Sequence, residues 1–253
     1  MRTASRWSWL WALLVGVGLF EAVRHTVITT GNPNLLPALI LLGAAVVPVS
    51  FVAFMFVRPS GYDVGAGPVV LVAVVGGVIG VVTAGLVEYD TLHHLGVLPL
   101  LAVAVIEEAA KLIAPLIVVL FTRYRRPADG LLFGVAAGAG FAALETMGYA
   151  FVVLIQPQGQ LATVDGVLLL RGLLSPAAHM AWTGLTATAL WRPAEHRWHP
   201  GAVWRFSGVF GVAVRLRETF TWETAPRRPV WVSRRGPFAI VRSYGVGDAW
   251  IRC

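Results

Sequence analysis

Three apolar stretches of this chain carry ionisable residues at spacings that suit acid–base chemistry. The first reads Val105-Ile106-Glu107-Glu108-Ala109-Ala110-Lys111. Glu107 and Lys111 are four apart and Glu108 and Lys111 three apart, so on a helix both carboxylates reach the ammonium group. One carboxylate is enough to neutralise Lys111, and the second needs another partner. A self-neutralising ion pair therefore explains only part of the cluster, whereas paired carboxylates in a low-dielectric site suit general acid–base work. The second stretch holds Glu145, within Gly140-Phe141-Ala142-Ala143-Leu144-Glu145-Thr146 and with no basic residue beside it, so its carboxylate is expected to point inward and not toward an apolar surround. The third runs from Arg171 through Ser175-Pro176 to His179. A lone His on an apolar helix is more often a satisfied core residue than a catalyst. Three carboxylates on neighbouring apolar segments give this one functional weight.

The elements that must position these residues are membrane helices. Of the 253 residues, 57% are hydrophobic and only 13% charged, with a mean hydropathy of +0.73. Soluble domains carry about 25% charged residues. That excludes a soluble enzyme, a coiled coil and a disordered chain, and leaves a polytopic membrane protein. A span needs about 20 mainly apolar residues. Six full spans are expected: Trp7–Ile28, Leu35–Val57, Pro68–Val87, Leu95–Phe121, Gly130–Ile155 and Val167–Trp191. A seventh starts near Val203 and decays after Val214, giving only about 18 Å of helix at 1.5 Å per residue. The first stretch resembles a signal peptide, but Glu21, Arg24 and His25 follow it where a small-residue cleavage site would stand, so a retained helix is expected. The fold class is thus an all-α transmembrane bundle, with residues 1–202 as its body and 203–253 as a partial last helix and an Arg-rich irregular tail.

The net charge of +7 comes almost wholly from Arg in short connections. That pattern fits cytoplasmic loops and anionic lipid, not nucleic acid. With the N-terminus inside, inner loops hold Arg2 and Arg6, then Arg58, then Arg123, Arg125 and Arg126, then Arg192, Arg197 and Arg205; outer loops hold Arg24 as their one Arg, with Glu88 and Asp90 in the second of them. Trp7, Trp9, Trp11, Trp191, Trp198 and Trp204 fall near span ends, where interfacial Trp is expected. Gly134, Gly138 and Ala142 form a row for close helix packing. Pro48 and Ser175-Pro176 are expected to kink their helices, and Arg171 to reach the interface from the outer end of its helix. His93 and His94 are expected in a polar loop beside Asp90, with a metal role only a minor alternative. Cys253 is the only cysteine, which excludes an intrachain disulfide and a Cys-based metal site.

These segments, on three successive helices, resemble the PrsW family of intramembrane proteases, themselves similar to CAAX-type prenyl proteases. The family's Glu-Glu-x-x-Lys reads here as Glu107, Glu108 and Lys111, its Phe-x-x-x-Glu as Phe141 and Glu145, and its preceding Asp-Gly as Asp129 and Gly130. Its His-bearing helix reads as Arg171, Ser175, Pro176 and His179. The resemblance covers residues 95–190 and implies peptide-bond hydrolysis in or beside the plasma membrane of a bacterial cell. The substrate it implies is a transmembrane protein, with membrane-anchored anti-sigma factors among the family's targets. It also implies roles. Glu107 or Glu108 activates a water as general base, His179 orients that water or stabilises the oxyanion, and Glu145 completes the polar cavity. Lys111 holds one carboxylate ionised. Zinc-dependent and metal-free hydrolysis both stay open, because the chain has no His-Glu-x-x-His.

Two positions depart from the family pattern. Thr146 stands where Asn usually follows the Glu. Aligning Trp222 and Glu223 with the family's final helix places Thr219 where a His belongs, and no His follows His199. Eight Arg occur between Arg215 and Cys253. Either this is a basic tail on anionic lipid, or a shifted reading frame has replaced a final helix. Beside a protease, the residues allow a catalytically inactive member that binds membrane partners and, less readily, a proton-coupled transporter. The last is disfavoured because the Glu-Glu-x-x-Lys segment has no repeat in the first three spans. Translating the other two frames of the gene separates the readings of the tail. A His-bearing apolar segment in one of them is the result expected of a frame shift, and its absence from all frames rules the shift out.

Overall fold

A computed structural model describes residues 6–58, 62, 64–96, 99–155, 161–195 and 199–224, with side chains to residue 217 in the last helix. Among them the regular structure is entirely helical: α1 (Ser8–Thr30), a 3-10 turn (Pro33–Leu35), α2 (Leu36–Val57), α3 (Ala66–Leu95), α4 (Leu100–Lys111), α5 (Ile113–Phe121), α6 (Pro127–Ile155), α7 (Leu161–Glu195) and α8 (Pro200–Thr224). Among the described residues, five helices are long and apolar enough to cross a membrane: Ser8–Thr30, Pro33–Val57, Ala66–Leu95, Pro127–Ile155 and Leu161–Ala194. Their outward faces carry exposed Leu14, Val15, Val74, Val78, Leu86, Phe151 and Leu173, the surface that lipid solvates.

The expected fourth span is broken. It forms α4 and α5, of twelve and nine residues, with Leu112 outside both. Pro115 explains the break. A proline lacks the N–H for an i→i−4 bond, and its ring crowds the carbonyl four residues earlier. That carbonyl belongs to Lys111, so the helix ends at the residue that carries the buried ammonium. Pro48 and Pro176, by contrast, sit inside unbroken helices.

Three elements run longer than their hydropathy. α3 continues through Glu88 and Asp90 to Leu95, so His93 and His94 lie on its last turn and not in a loop. It stops at Gly96, whose φ of 69° is the left-handed conformation that glycine adopts without penalty. α7 begins at Leu161, which puts Asp165 on a helix, where it accepts two hydrogen bonds from Arg24 of α1 at 2.7 and 2.9 Å. α8 does not decay at Val214 but runs to Thr224. Arg215, Leu216, Arg217 and Glu218 are good helix formers although they are not apolar as a set, and no proline occurs between Pro200 and Pro226. At 25 residues it is about 37 Å long, yet it is not among the helices apolar enough to span. The tail from 225 onward lies outside the described residues, and so does Trp198.

α6 is the central helix. Gly134 and Gly138 press on the backbone of α7: a Cβ on Gly138 would lie 2.6 Å from the His179 carbonyl oxygen. On the other side Gly140 meets the backbone of α3 at Ala73 and Gly77. The glycine row therefore does pack helices together, and it does so on two faces. One apolar cluster gathers Phe133, Leu132, Val119 and Trp191 toward one end of α6. Trp191 is fully buried, stacks on Phe133 and donates from Nε1 to the Tyr124 carbonyl at 3.1 Å. It is thus a core residue and not an interfacial one, while Trp7, Trp11 and Trp204 are exposed as expected. A second cluster, with Phe20, Ile40, Ala150 and Leu168, lies toward the other end. Between the two, on α6 and α7, come Phe141, Glu145, Arg171 and His179.

Gly138→Leu is expected to lower the stability of the detergent-solubilised chain by about 1–3 kcal/mol through overpacking. Gly148→Ala, with nothing within 4 Å of the added Cβ, is expected to be neutral or slightly stabilising. Thermal unfolding of the two variants side by side checks both.

Candidate functional site

Four helices deliver charged groups to one buried place. Glu107, Glu108 and Lys111 come from the last turns of α4, Glu145 from α6, Arg171 and His179 from α7, and Arg217 from α8. Glu108 and Lys111 are fully buried, and Glu107 and His179 nearly so. Water cannot screen or solvate these charges, so each must be held by another.

The two adjacent carboxylates have different partners. Lys111 Nζ donates to Glu108 Oε1 at 2.7 Å and lies 3.7 Å from Glu107 Oε2. Glu107 Oε2 instead accepts a hydrogen bond from Arg217 Nη2. Arg217 Nη1 lies 3.6 Å from Glu108 Oε1. The second carboxylate thus does find a partner, on a helix that hydropathy alone ends too early. Glu108 Oε2 has no hydrogen-bond partner among the described residues.

Glu145 does point into the bundle. Its Oε2 is 3.0 Å from His179 Nε2 and 2.9 Å from Arg171 Nη2. Arg171 is turned inward to this carboxylate and lies over the Tyr149 ring at 3.9 Å. Phe141 forms an aromatic wall of the site. Its ring is 4.5 Å from Lys111 Nζ and 5.3 Å, centroid to centroid, from the His179 imidazole. Thr146 is fully buried, and its hydroxyl has no hydrogen-bond partner among the described residues.

Glu107, Glu145 and His179 each offer a ligand atom within 4.8 Å of the others, which is a group able to hold a metal ion. Two carboxylate oxygens and one imidazole nitrogen suit zinc, and three protein ligands leave the fourth tetrahedral position open. Bonds of about 2.05 Å at tetrahedral angles put ligand atoms roughly 3.4 Å apart, and the Glu145–His179 contact is already close to that. His179 Nδ1 also has no hydrogen-bond partner among the described residues. The donors therefore fit a divalent cation in number, type and spacing. His93 and His94 are not part of this place; His94 pairs with Asp90 at 3.2 Å on an exposed turn.

The chain matches the model of the PrsW family intramembrane metalloprotease over residues 8–233. It belongs to the PrsW family of intramembrane metalloproteases. The match extends past the three motif-bearing helices to include α1–α3 and α8. No curated protein and no solved structure matches the chain. As a PrsW protein it is a hydrolase of peptide bonds built from membrane helices.

Two residues at or beside this buried cluster were not apparent from the motifs. Arg217 had a signal: Phe210, Ala213, Val214 and Arg217 follow the i, i+3, i+4, i+7 spacing of one helix face, and Ala213, Val214 and Arg217 are the buried ones. Glu88, assigned to an outer loop by its charge, is on α3, half-buried and within electrostatic reach of Glu107, Glu145, Arg217 and Lys111. Its Oε1 has no hydrogen-bond partner among the described residues.

Lys111→Met leaves Glu108 buried without its ammonium partner, and is expected to cost about 3–5 kcal/mol of stability. Adding Glu108→Gln in the same chain is expected to recover most of that loss. Unfolding of the single and double variants in detergent measures the difference.

Proposed function

We propose that this chain cleaves a peptide bond in or next to the membrane segment of a protein substrate, with Glu107, Glu145 and His179 holding a divalent cation and Glu108 acting as general base. The observation that carries this reading is the convergence of Glu107, Glu145 and His179, from three helices, within 4.8 Å. A bound cation supplies a Lewis acid and lowers the pKa of a water toward neutrality. The remaining work falls to this chain's side chains. Lys111 fixes one oxygen of Glu108 at 2.7 Å, which leaves Oε2 to take the proton of the attacking water. Arg171 holds Glu145 so that its oxygen faces His179. Phe141 closes the site against lipid and helps exclude bulk water. As the scissile carbonyl becomes a tetrahedral oxyanion, the cationic side of the site, with Arg171, stabilises the charge that develops.

The Arg asymmetry of the loops supports a cytoplasmic N-terminus in a bacterial plasma membrane. Six spans follow if α4 and α5 cross together. The substrate class, by family resemblance, is a membrane-anchored protein such as an anti-sigma factor. A second reading, a member that binds membrane partners without cutting them, draws its support from Arg217 occupying Glu107.

Purified chain in detergent is expected to cleave single-span substrates. Glu107→Gln, Glu145→Gln and His179→Ala should lose both cleavage and cobalt(II) binding. Glu108→Gln should lose cleavage by about 10²-fold or more while keeping cobalt(II) binding. Loss of metal by the Glu108 variant would assign it as a ligand and not the base, and inactivity of the unmodified chain would favour the binding-only reading.

A further inference from the structure

We propose that Arg217 is a displaceable cationic plug: its guanidinium and a divalent cation compete for Glu107, so docking of α8 and metal binding exclude one another. The inference rests on the reading of Glu107, Glu145 and His179 as a metal-holding group, and deepens it into a means of control.

Three carboxylates, Glu107, Glu108 and Glu145, contact three cations, Lys111, Arg171 and Arg217. These six side chains sum to zero. A divalent cation added among them leaves two positive charges uncompensated, in a place where Glu107 and His179 are buried. Even with Glu88 counted at the edge of the site, the sum stays positive. Removing one of the three cations relieves this.

The geometry singles out which one leaves. Lys111 is fully buried on α4, the helix that also carries two of the carboxylates. Arg171 belongs to α7, which is packed along α6 by the glycine seam, and its guanidinium lies over Tyr149 at 3.9 Å. Arg217 is carried by α8. Its Nη2 is bonded to Glu107 Oε2, on one of the three ligand-bearing side chains. Among the described residues, the buried side chains of α8 are Ala213, Val214 and Arg217, while Val203, Trp204, Val209 and Val212 are exposed. Two small aliphatic groups thus accompany the guanidinium into the bundle, with Phe206 and Phe210 only partly buried against the core, so of the three helices that supply a cation α8 is the one held by the fewest fully buried apolar side chains. An Arg side chain does not lose its proton in a protein. It therefore cannot yield to a metal by becoming neutral, and must move away. By linkage, a ligand that excludes α8 from Glu107 is itself excluded by docked α8 to the same degree.

The test is a cobalt(II) titration of the full chain in detergent, read by the visible absorption of the bound ion. It compares the unmodified chain, Arg217→Gln, Arg217→Lys and His179→Ala. The backbone amide protection of α8 is followed by hydrogen exchange with and without the ion. Arg217→Gln is expected to bind cobalt at least about 5-fold more tightly than the unmodified chain, the lower end of usual coupling between sites. Arg217→Lys, which keeps the charge, should fall between the two. In the unmodified chain, cobalt should lower the protection of α8 while leaving α6 unchanged. Equal or weaker binding by Arg217→Gln, with His179→Ala still abolishing it, overturns the plug and leaves the metal group standing. No cobalt binding in any of the four overturns both. If the Arg217→Gln chain does not fold, unchanged α8 protection in the unmodified chain is by itself enough to overturn the plug.

Discussion

Charge neutralisation without water is the constraint on which the rest of this structure depends. A charged side chain at the centre of a bilayer costs about 2.5–3.5 kcal/mol on insertion scales, and this chain buries several together. Every helix that supplies a carboxylate must also meet a cation, either its own or a neighbour's. α4 carries Lys111 for Glu108, α7 brings Arg171 to Glu145, and α8 brings Arg217 to Glu107. The tertiary arrangement of α4, α6, α7 and α8 is thus dictated as much by ion pairing as by apolar packing. Since the association of membrane helices lacks the hydrophobic driving force that water supplies, such pairs weigh more heavily here than on the surface of a soluble protein.

Packing and chemistry are divided along the helices. α6 contacts α7 and α3 through glycines, with backbones close enough that a methyl group would collide. The polar site begins where that seam ends, at Phe141 and Glu145. On α4 the division is made by Pro115, which ends the helix at Lys111 and separates the charged half of the fourth span from the apolar half.

Much of this was legible in the sequence because the signals were local. Hydropathy located the five long helices, and the spacings of Glu107, Glu108 and Lys111 placed both carboxylates within reach of one ammonium. The inward direction of Glu145 followed from its isolation among apolar residues. Illegible features were those in which two local rules disagree. Hydropathy ended the last helix at Val214, whereas helix propensity carried it through Arg217. Charge assigned Glu88 and His93 to a loop, whereas nothing before Gly96 stops α3. Trp191 sits near a span end like an interfacial residue, yet Gly130 leaves room for its ring and the Tyr124 carbonyl satisfies its N–H. Pairings such as Glu107 with Arg217 join residues 110 apart in the chain, and nothing in the local sequence names the partner.

The glycine seams give α6 a rigid phase. A helix turns about 100° per residue, and α6 must direct Gly134 and Gly138 at α7, Gly140 at α3, and Glu145 at His179, all from one unbroken segment. Inserting or deleting a single residue between Gly134 and Glu145 would rotate one set of these positions against the other. Either the glycines would face lipid, with bulkier neighbours driven into the seam, or the carboxylate would swing away from its imidazole. This stretch can therefore vary in side-chain identity at its lipid-facing positions, but it has no freedom in length.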